Sequence, residues 1–417
     1  MKKTLLCLSL AAFSAHASAQ SSGQETFKVA FIDPLSGPFA EIGELMHTHI
    51  KYAIEDINAK GGVLNGMKME LMSIDNKLSP QESLIALQSA IDAGARVVFT
   101  GGSGSTAVGA MVEAANKNNE RNPDKAILIV NHSSIDPELT GKRCSFWHVM
   151  TEANTAMKMK ALTGFMKEKQ DIKNVYLLNQ NYAHGQMWAR LGKEMLSSVR
   201  QDVKFVGEDL HPIGQVKDFS PYVAKIKAAG ADTVITGNWG NDLNLLVKAA
   251  ADAGTNLRFI NHSAGGVPGP VMAVSQAKAG QLTWVGEWHP NVENAKVTPV
   301  ANGYKQRYNK SFLAPRIEMS PRIIAAAINK AKSTDPLKIV LALEGMTYPS
   351  IVGDVTVRKE DHQLLLPQTV STMAPVDGKT VKFGVEGTNY GFRTETVVEG
   401  KDLALPTECR MKRPSGA

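Results

Sequence analysis

The sequence lacks a long apolar segment. Among its 417 residues, the one extended apolar run free of charge covers residues 5–13, which is too short to span a bilayer. We therefore do not expect an integral membrane protein. With 43% hydrophobic, 21% charged and 6% aromatic residues, the composition is typical of a globular protein rather than of a disordered or fibrous chain. The length predicts about two to three domains.

Motifs for nucleic-acid binding and for metal binding are also lacking. Basic residues are scattered, with their densest group at Arg410, Lys412 and Arg413, and they do not interleave with aromatic residues as a nucleic-acid platform requires. His47 and His49 point about 200° apart on a predicted helix and cannot share a metal ion. The chain has no HExxH motif, no paired Cys/His spacing and no P-loop. We therefore expect no nucleic-acid partner, no metal and no cofactor.

The first residues have the order of a secretory signal. Lys2 and Lys3 precede the apolar run, and the small residues 17–19 follow it as a cleavage site without a lipobox. We expect cleavage after Ala19 and release of an unanchored protein into the periplasm. A buried first helix is the alternative, but it would need polar residues at a spacing of 3.6, of which this stretch has few. Losing Lys2 and Lys3 leaves 44 basic against 40 acidic residues, a balance that indicates no particular partner.

Two cysteines remain after this cleavage, Cys144 and Cys409. An even pair in an oxidising compartment is most simply read as one disulfide. Two free, buried thiols are the alternative.

Short β-rich runs alternate with stretches in which apolar residues have helical spacing. The β-rich runs are residues 27–32, 67–74, 96–100, 126–130, 174–178, 203–208, 233–236, 258–260 and 282–285. Regular alternation predicts parallel sheets with right-handed crossovers, and nine strands exceed one usual core, so we predict two doubly wound α/β lobes. The break falls near residues 142–151, residues 299–332 are helical, and the pattern is β-like and irregular after residue 347.

Two catalytic motifs are matched incompletely at residues 101–107, between a predicted strand and a predicted helix. Gly102, Gly104 and Ala107 fit the dinucleotide fingerprint, but they belong to the third βα unit, and no acid ends the next strand. A serine-nucleophile elbow around Ser103 lacks its closing glycine, where Ser105 stands. An enzyme is therefore the least favoured interpretation.

The same turn suits an anionic ligand. Small residues let a ligand approach the backbone, and a helix N-terminus with the hydroxyls of Ser103, Ser105 and Thr106 would bind a carboxylate. Simple helix capping by Ser103 or Ser105 is the alternative. Ser133 and Ser134 follow the next strand, so they should lie at the same carboxyl edge of the sheet, where ligands bind in open α/β folds.

Matching turns follow three strands of the second predicted lobe. They carry amide, aromatic and small side chains at Tyr182, Asn238, Trp239, Ser263 and Ala264. Tyr182 and Trp239 could wall a small molecule. Taken singly, each of these residues is more commonly a loop residue that packs for stability.

Several longer motifs carry a resemblance to a known family. They are PLSGPFA at residues 34–40, DINAKGG at 56–62, DPELT at 136–140, YAHG at 182–185 and DFS at 218–220. From residue 27 to residue 373 the sequence resembles the leucine/isoleucine/valine-type periplasmic solute-binding proteins of ABC transporters. The resemblance implies two lobes joined by three hinge crossings, with the ligand in the cleft and closure of the hinge around it.

The resemblance also implies how the chain divides. We expect lobe 1 to contain residues 27–148 and 288–362, and lobe 2 to contain residues 149–287 and 363–390. Residues 391–417 would form a C-terminal tail, and a disulfide between Cys144 and Cys409 would tie this tail to the crossover region.

Family members hold the ligand carboxylate at turns that match residues 103–106 and 133–135, and their aromatics match Tyr182 and Trp239. The acid that amino-acid-specific members use for the ligand ammonium falls at Ala264. An unpaired buried ammonium would cost several kcal/mol. Either Asp33 or Asp242 replaces the acid, or the ligand lacks an amine, and we expect the latter.

The resulting prediction is a non-catalytic receptor that binds a small carboxylate, an aromatic or other organic acid rather than an amino acid. It would deliver this ligand to an inner-membrane permease with its ATPase. A ligand-binding sensor that reports to a signalling partner is the alternative, with the same pocket but a different docking surface.

Overall fold

The computed structural model of the protein describes residues 25–266, 268–278 and 280–417. The predicted signal segment, residues 1–19, lies outside the described residues. No helix in these described ranges is long and apolar enough to cross a membrane.

The first sheet contains five parallel strands, β1 (Thr26–Asp33), β2 (Lys68–Asp75), β3 (Val97–Thr100), β4 (Leu128–Asn131) and β5 (His148–Met150). Their order is β2-β1-β3-β4-β5. The helices between them are α1 (Ala40–Ala59), α2 (Pro80–Asp92) and α3 (Gly104–Arg121). Alternate residues of a strand face opposite sides, so Val29 and Phe31 pack in the cluster that includes α1, whereas Ala30 and Ile32 pack in the cluster of α2 and α3. Helices therefore cover both faces of the sheet.

The second sheet contains seven strands, β6 (Asn174–Gln180), β7 (Lys204–His211), β8 (Thr233–Ile235), β9 (Arg258–Asn261), β10 (Gln281–Gly286), β14 (Gln368–Pro375) and β15 (Tyr390–Val398). Their order is β15-β14-β10-β9-β8-β6-β7, and only the pairs of β14 are antiparallel. The accompanying helices are α4 (Thr155–Lys167), α5 (Ala183–Val199), α6 (Ser220–Ala228), α7 (Gly240–Asp252) and α8 (Gly269–Ala277).

A third segment follows β10 and packs against the first sheet's helix α1. It contains α9 (Val297–Tyr308), α10 (Pro315–Ala331), α11 (Pro336–Leu343) and the antiparallel strands β11 (Thr347–Ser350), β12 (Gly353–Val357) and β13 (Leu364–Leu365). We call the first sheet with its helices and this segment the first lobe, and the second sheet with its helices the second lobe. The short helix α12 (Gly400–Leu403) precedes the C-terminus.

The predicted fold class, two doubly wound α/β lobes, is confirmed, and all nine predicted β-rich runs overlap strands. One strand and one boundary differ from the prediction. The stretch 142–151 contains β5, which was not among the predicted runs; it pairs with β4 and ends the first sheet at Met150, two residues beyond the predicted end of lobe 1. Residues 391–398 lie in β15, which pairs with β14, and therefore extend the second sheet instead of starting a tail.

The C-terminal residues return from the second sheet to the first lobe. Cys144 and Cys409 form a disulfide, as predicted, with their Sγ atoms 2.04 Å apart. Beyond it, Arg413 forms an ion pair with Glu344 at 2.8 Å. The chain is thus fixed covalently to the first lobe after its last strand in the second.

Candidate ligand-binding site

A cavity of about 80 Å³ lies between the lobes at the carboxyl ends of strands from both sheets. Apolar side chains make up much of its wall: Ile42, Leu45, Met46, Ile135, Leu313, Ile317, Tyr182, Trp239 and Trp284. Polar side chains reach it from both lobes: Ser105, Ser133, Ser134, Glu152, Arg316, His184, His262 and Ser263. The position agrees with the general rule for open α/β sheets.

The lobes touch each other at the cavity. Gly104, at the start of α3, has φ +78°, and a Cβ built on it would lie 3.4 Å from Cε2 of Tyr182 in the second lobe. Phe39 and Trp239, from opposite lobes, have ring centroids 4.4 Å apart. The structure is therefore a closed arrangement of the two lobes.

The turn after β3 presents Gly101, Gly102, Gly104 and Ser105 to the cavity. Ser103 does not line it: its hydroxyl donates to Asp33 Oδ1 at 2.7 Å, inside the first lobe. Thr106 is exposed and is also not a lining residue. Of the three predicted hydroxyls in this turn, the structure brings only that of Ser105 to the cavity, beside the backbone N–H groups of the helix N-terminus.

The turn after β4 is held by Asn131, whose Oδ1 accepts the backbone N–H of Ser134 at 2.8 Å. The Ser134 hydroxyl donates to the carbonyl of Gly101 at 2.9 Å, which ties this turn to the preceding one. Ser133 lines the cavity, with its Oγ 3.0 Å from His132 Nδ1. Ser133 and Ser134 thus lie beside Ser105, as predicted from the strand ends.

The second lobe contributes Tyr182, Trp239 and Ser263 of the predicted residues. The Trp239 indole N–H donates to the Tyr182 hydroxyl at 2.7 Å, and burial raises the Tyr182 pKa above its ordinary value. Asn238 and Ala264 are fully buried and do not line the cavity. The structure therefore does not place Asn238 and Ala264 at the cavity, where the sequence predicted them.

Asp33 and Asp242, the two suggested replacements for a missing acid, do not line the cavity either. Asp33 accepts hydrogen bonds from the Gly101 backbone at 3.1 Å and from Ser103, and its Oδ2 lies 3.3 Å from His132 Nε2. Asp242 accepts hydrogen bonds from Gln180 at 2.7 Å and from the Gly214 backbone at 2.9 Å. One oxygen of each carboxylate, Asp33 Oδ1 and Asp242 Oδ2, accepts these hydrogen bonds, while Asp33 Oδ2 and Asp242 Oδ1 are buried and accept none from the described residues.

A cluster of charged side chains that sequence reasoning missed lies at the cavity, near the points where the chain passes between the lobes after β5 and β10. Arg316, in the first turn of α10, forms ion pairs with Glu152 and with Glu287, the latter at 3.0 Å. Glu152 also pairs with Lys158 at 3.1 Å. Burial opposes the charge on Arg316, but the two carboxylates offset this and raise its pKa above the ordinary value. The two positive charges of Arg316 and Lys158 thus balance the two negative charges of Glu152 and Glu287.

Sequence signals for these residues were weak. Glu152 and Glu287 each follow a strand, β5 and β10, at the carboxyl edge, so a strand-end acid was a signal that could have found them. Arg316 follows Pro315 at the start of a helix, where an arginine has no distinctive pattern.

Two histidines of the second lobe face each other in the cavity wall. His184 and His262 have their Nε2 atoms 3.1 Å apart. Burial lowers the pKa of His184 to about 4 and that of His262 well below its ordinary value. Both imidazoles are neutral near pH 7. Among the described residues, no group of three or more His, Cys, Asp or Glu side chains is placed to hold a metal ion.

Comparison with known proteins gives consistent matches. A family model described as "Periplasmic binding protein" matches residues 26–379. The chain is 32% identical over 412 residues to "Leu/Ile/Val-binding protein homolog 4" of Brucella abortus (strain 2308), covering 95% of each chain.

Solved structures agree with this. The leucine-, isoleucine-, valine-, threonine-, and alanine-binding protein from Brucella ovis, in a closed conformation, is 31% identical with a TM-score of 0.81, covering 94% of this chain and 100% of that one. A solute-binding protein of an ABC transporter from Rhodopseudomonas palustris BisB5, in complex with 3,4-dihydroxybenzoic acid, has 19% identity and a TM-score of 0.75, covering 90% and 98%. At that identity the likeness shows the fold alone.

Proposed function

Because the chain belongs to the Leu/Ile/Val-type family of periplasmic binding proteins, the solute receptors of ABC transporters, we propose a ligand class for it. The ligand is a small carboxylate without an ammonium group, an aromatic or other organic acid, bound between the lobes. The receptor delivers it to an inner-membrane permease with its ATPase.

The donors of the first lobe support a carboxylate. Ser105 brings a hydroxyl to the cavity and α3 points its N-terminus there, whereas Ser133 lines the cavity but donates its hydroxyl hydrogen to the His132 carbonyl at 2.7 Å. Free N–H groups and the partial positive charge of a helix N-terminus favour an anion. Arg316 adds a guanidinium whose Nη2 atom lies 3.4 Å from Ser133 Oγ.

The remainder of the wall supports an apolar or aromatic ligand body. Leu45, Met46 and Ile317 face the cavity from the first lobe, and Tyr182 and Trp239 face it from the second. Burying apolar ligand surface against such side chains supplies about 25 cal/mol per Å². Aromatic walls favour a planar ring.

The pairing of the cavity's acids carries the argument against an ammonium. Glu152 is the one acidic residue among the described residues that line the cavity, and it already forms ion pairs with Arg316 and Lys158. Behind it, Glu287 pairs with Arg316 as well. An ammonium would therefore meet no carboxylate without a partner, and leaving a cation buried and unpaired is costly.

Some relatives and structural neighbours bear on the same question. The Brucella ovis protein named above is called a leucine-, isoleucine-, valine-, threonine-, and alanine-binding protein, whereas the Rhodopseudomonas palustris protein binds 3,4-dihydroxybenzoic acid. Both kinds of ligand carry a carboxylate, so the amine is the feature that needs testing.

Calorimetric titration of ligand-free protein with benzoate, 4-methyl-2-oxopentanoate and leucine separates these possibilities. The keto acid keeps the carboxylate and side chain of leucine and replaces its amine with a carbonyl. We expect binding of at least one amine-free acid and none of leucine. Tight binding of leucine without binding of its keto acid would show that the ammonium has a partner and that the proposed class is wrong.

A further inference from the structure

The hydrogen-bond pattern of the two cavity histidines defines which polar atom the second lobe offers to a ligand. His262 turns Nε2 towards the protein, 3.1 Å from His184 Nε2 and 3.2 Å from the carbonyl of Gly237. Its Nδ1 has no hydrogen-bond partner among the described residues. His262 lines the cavity, and Nδ1 is the ring nitrogen that the described residues leave free for a ligand there.

The Nε2 atoms of His184 and His262 lie 3.1 Å apart. Each neutral imidazole has one N–H and one acceptor nitrogen, so a hydrogen bond between these two atoms needs one donor and one acceptor. If both Nε2 atoms instead donate to the Gly237 carbonyl, which has two lone pairs, His262 Nδ1 is an acceptor in that case too. The Gly237 carbonyl lies 3.2 Å from both Nε2 atoms and therefore does not discriminate between the two assignments.

Thr155 decides the assignment. Its hydroxyl donates to the carbonyl of Ile135 at 2.8 Å, so it has no hydrogen left for His184, whose Nδ1 lies 3.4 Å from Thr155 Oγ1. His184 Nδ1 is then the donor and His184 Nε2 the acceptor. His262 donates through Nε2, which leaves a lone pair on Nδ1.

We propose that the ligand carries a hydroxyl group that donates a hydrogen bond to Nδ1 of His262. This inference rests on the proposed function and narrows its ligand class to hydroxylated carboxylates. An acceptor on the ligand, such as a keto or ether oxygen, would face the Nδ1 lone pair and would not be favoured. His262 is thereby a specificity residue of the second lobe.

The same contact links recognition to closure. Ser105 and Ser133 belong to the first lobe and His262 to the second, so a ligand that uses both ends bridges the lobes. A ligand whose carboxylate is held by the first lobe can form the hydrogen bond from its hydroxyl to His262 Nδ1 only when the lobes are closed. A ligand shifts a conformational equilibrium by its differential affinity for the two states, so the hydroxyl contributes to the closed state.

Calorimetric titration tests this with ligand pairs that differ by one hydroxyl. The pairs are benzoate with each monohydroxybenzoate, and 4-methylpentanoate with 2-hydroxy-4-methylpentanoate. We expect at least one hydroxylated acid to bind about three- to tenfold more tightly than its parent. The matching fluoro compound, which cannot donate, should bind no more tightly than the parent. This arm uses wild-type protein and does not depend on folding of a variant.

Variants then locate the acceptor. His262→Phe keeps a ring of similar size without an acceptor and should bring hydroxylated and parent acids to within about twofold of each other. His262→Asn, with an amide oxygen near the former Nδ1, should restore part of the preference. His289→Phe is the control, because His289 is buried, lies outside the cavity lining and contacts Thr394 at 3.0 Å.

The outcomes distinguish this inference from the proposed function. If no amine-free carboxylate binds, the proposed function is wrong. If parent acids bind but hydroxylation brings no gain, if the fluoro compound gains equally, or if the gain survives in His262→Phe, the role of His262 is wrong while the carboxylate site stands.

Discussion

Ser103 and Ser105 stand two positions apart in one turn, but their hydroxyls have different surroundings. Ser103 Oγ donates to Asp33 at 2.7 Å, within the first lobe, whereas Ser105 lines the cavity. A sequence pattern shows that both follow a strand, but it does not show the different surroundings of the two side chains, which flank Gly104 with its positive φ of +78°.

We predict that the two serine-to-alanine changes affect different properties, ligand binding in one case and stability in the other. Ser105→Ala should weaken binding of the carboxylate ligand by about 1–3 kcal/mol, because a hydroxyl is lost to a charged oxygen. Ser103→Ala should instead lower the free energy of unfolding by about 1–3 kcal/mol, since buried Asp33 loses a donor. Calorimetry and thermal unfolding measure the two effects. Exposed Thr106→Ala is the control, and loss of binding in Ser103→Ala at unchanged stability would contradict the assignment.

How far sequence alone could predict the site is visible in individual residues. Ser105, Ser133 and Tyr182 follow strand ends, a pattern that sequence shows, and all three line the cavity. Arg316 could not be found this way, because only the packing of α10 brings it to the cavity. Ala264 follows a strand end as well, but it is fully buried and does not line the cavity.

His49 illustrates a residue whose protonation is coupled to folding. It is fully buried, with Nδ1 2.7 Å from the Leu45 carbonyl, and Nε2 accepts the backbone N–H of Ala314 at 3.3 Å. Burial lowers the pKa of His49 to about 4. Protonation of Nε2 would remove its acceptor role at the start of α10.

We predict that stability falls as pH decreases from about 6.5 to about 4. The unfolded chain binds a proton at His49 near pH 6.5, before the folded protein does, so the full contribution is present above that pH and lost below the folded pKa. The loss for one such histidine is about 3 kcal/mol. Urea unfolding at pH 7, 6 and 5 measures the slope. His49→Phe should reduce it, and an unchanged slope in that variant would exclude His49 as a source.

At the scale of elements, Phe39 connects the lobes outside the cavity. It ends a short 3-10 helix, Gly37–Phe39, and its ring lies against two glycines of the second lobe. A Cβ built on Gly240 would lie 2.7 Å from Phe39 Cδ1, and one on Gly214 would lie 2.9 Å from Phe39 Cε2. Both glycines have positive φ, +57° and +68°, so backbone conformation and the approach of the ring both require glycine.

We predict that Phe39→Ala favours the open form. The variant loses aromatic surface that contacts the second lobe in the closed arrangement, so ligand affinity should fall by about 1–3 kcal/mol although Phe39 does not line the cavity. Small-angle scattering of the ligand-free protein and calorimetry measure opening and affinity. Phe383→Ala, which removes a phenylalanine that is 57% exposed, is the matched control. Unchanged affinity in Phe39→Ala would show that this contact does not contribute to closure.

The elements themselves were largely predictable because α/β alternation leaves a strong pattern. Buried parallel strands such as Val97–Thr100 are short apolar runs bounded by turns and helices. The strand His148–Met150 was missed, since three residues carry no periodicity. Residues 391–398 were assigned to a tail, because the half-exposed, polar sequence of Tyr390–Val398 forms a strand only by pairing with Gln368–Pro375.

At the scale of the whole molecule, the chain makes a further passage between the lobes after its last strand. Gly400, in α12, lies so close to the segment between β13 and β14, where the chain passes from the first lobe to the second, that a Cβ built there would clash with the backbone N of Leu366. Arg358 then donates to the carbonyl of Leu405 at 2.8 Å. The disulfide between Cys144 and Cys409 fixes this segment to the first lobe. The cysteine count predicted the bond, and the crossover region was its expected anchor, whereas the hydrogen bond from Arg358 to Leu405 had no signal in the sequence.

Removing the disulfide by the double change Cys144→Ser and Cys409→Ser should destabilise the protein by about 2–5 kcal/mol, because the bond closes a loop with a sequence separation of 265 residues. Thermal unfolding with and without reductant measures the effect, and the double variant should not respond to reductant. Lys412→Ala is the control, since it removes an exposed ion pair between the same tail and Glu120 of α3 and should leave stability almost unchanged. Two alkylatable thiols in the unreduced, denatured wild type would show that the bond does not form. Equal stability of the double variant and the wild type would show that the ion pairs and backbone contacts of the tail hold it without the bond.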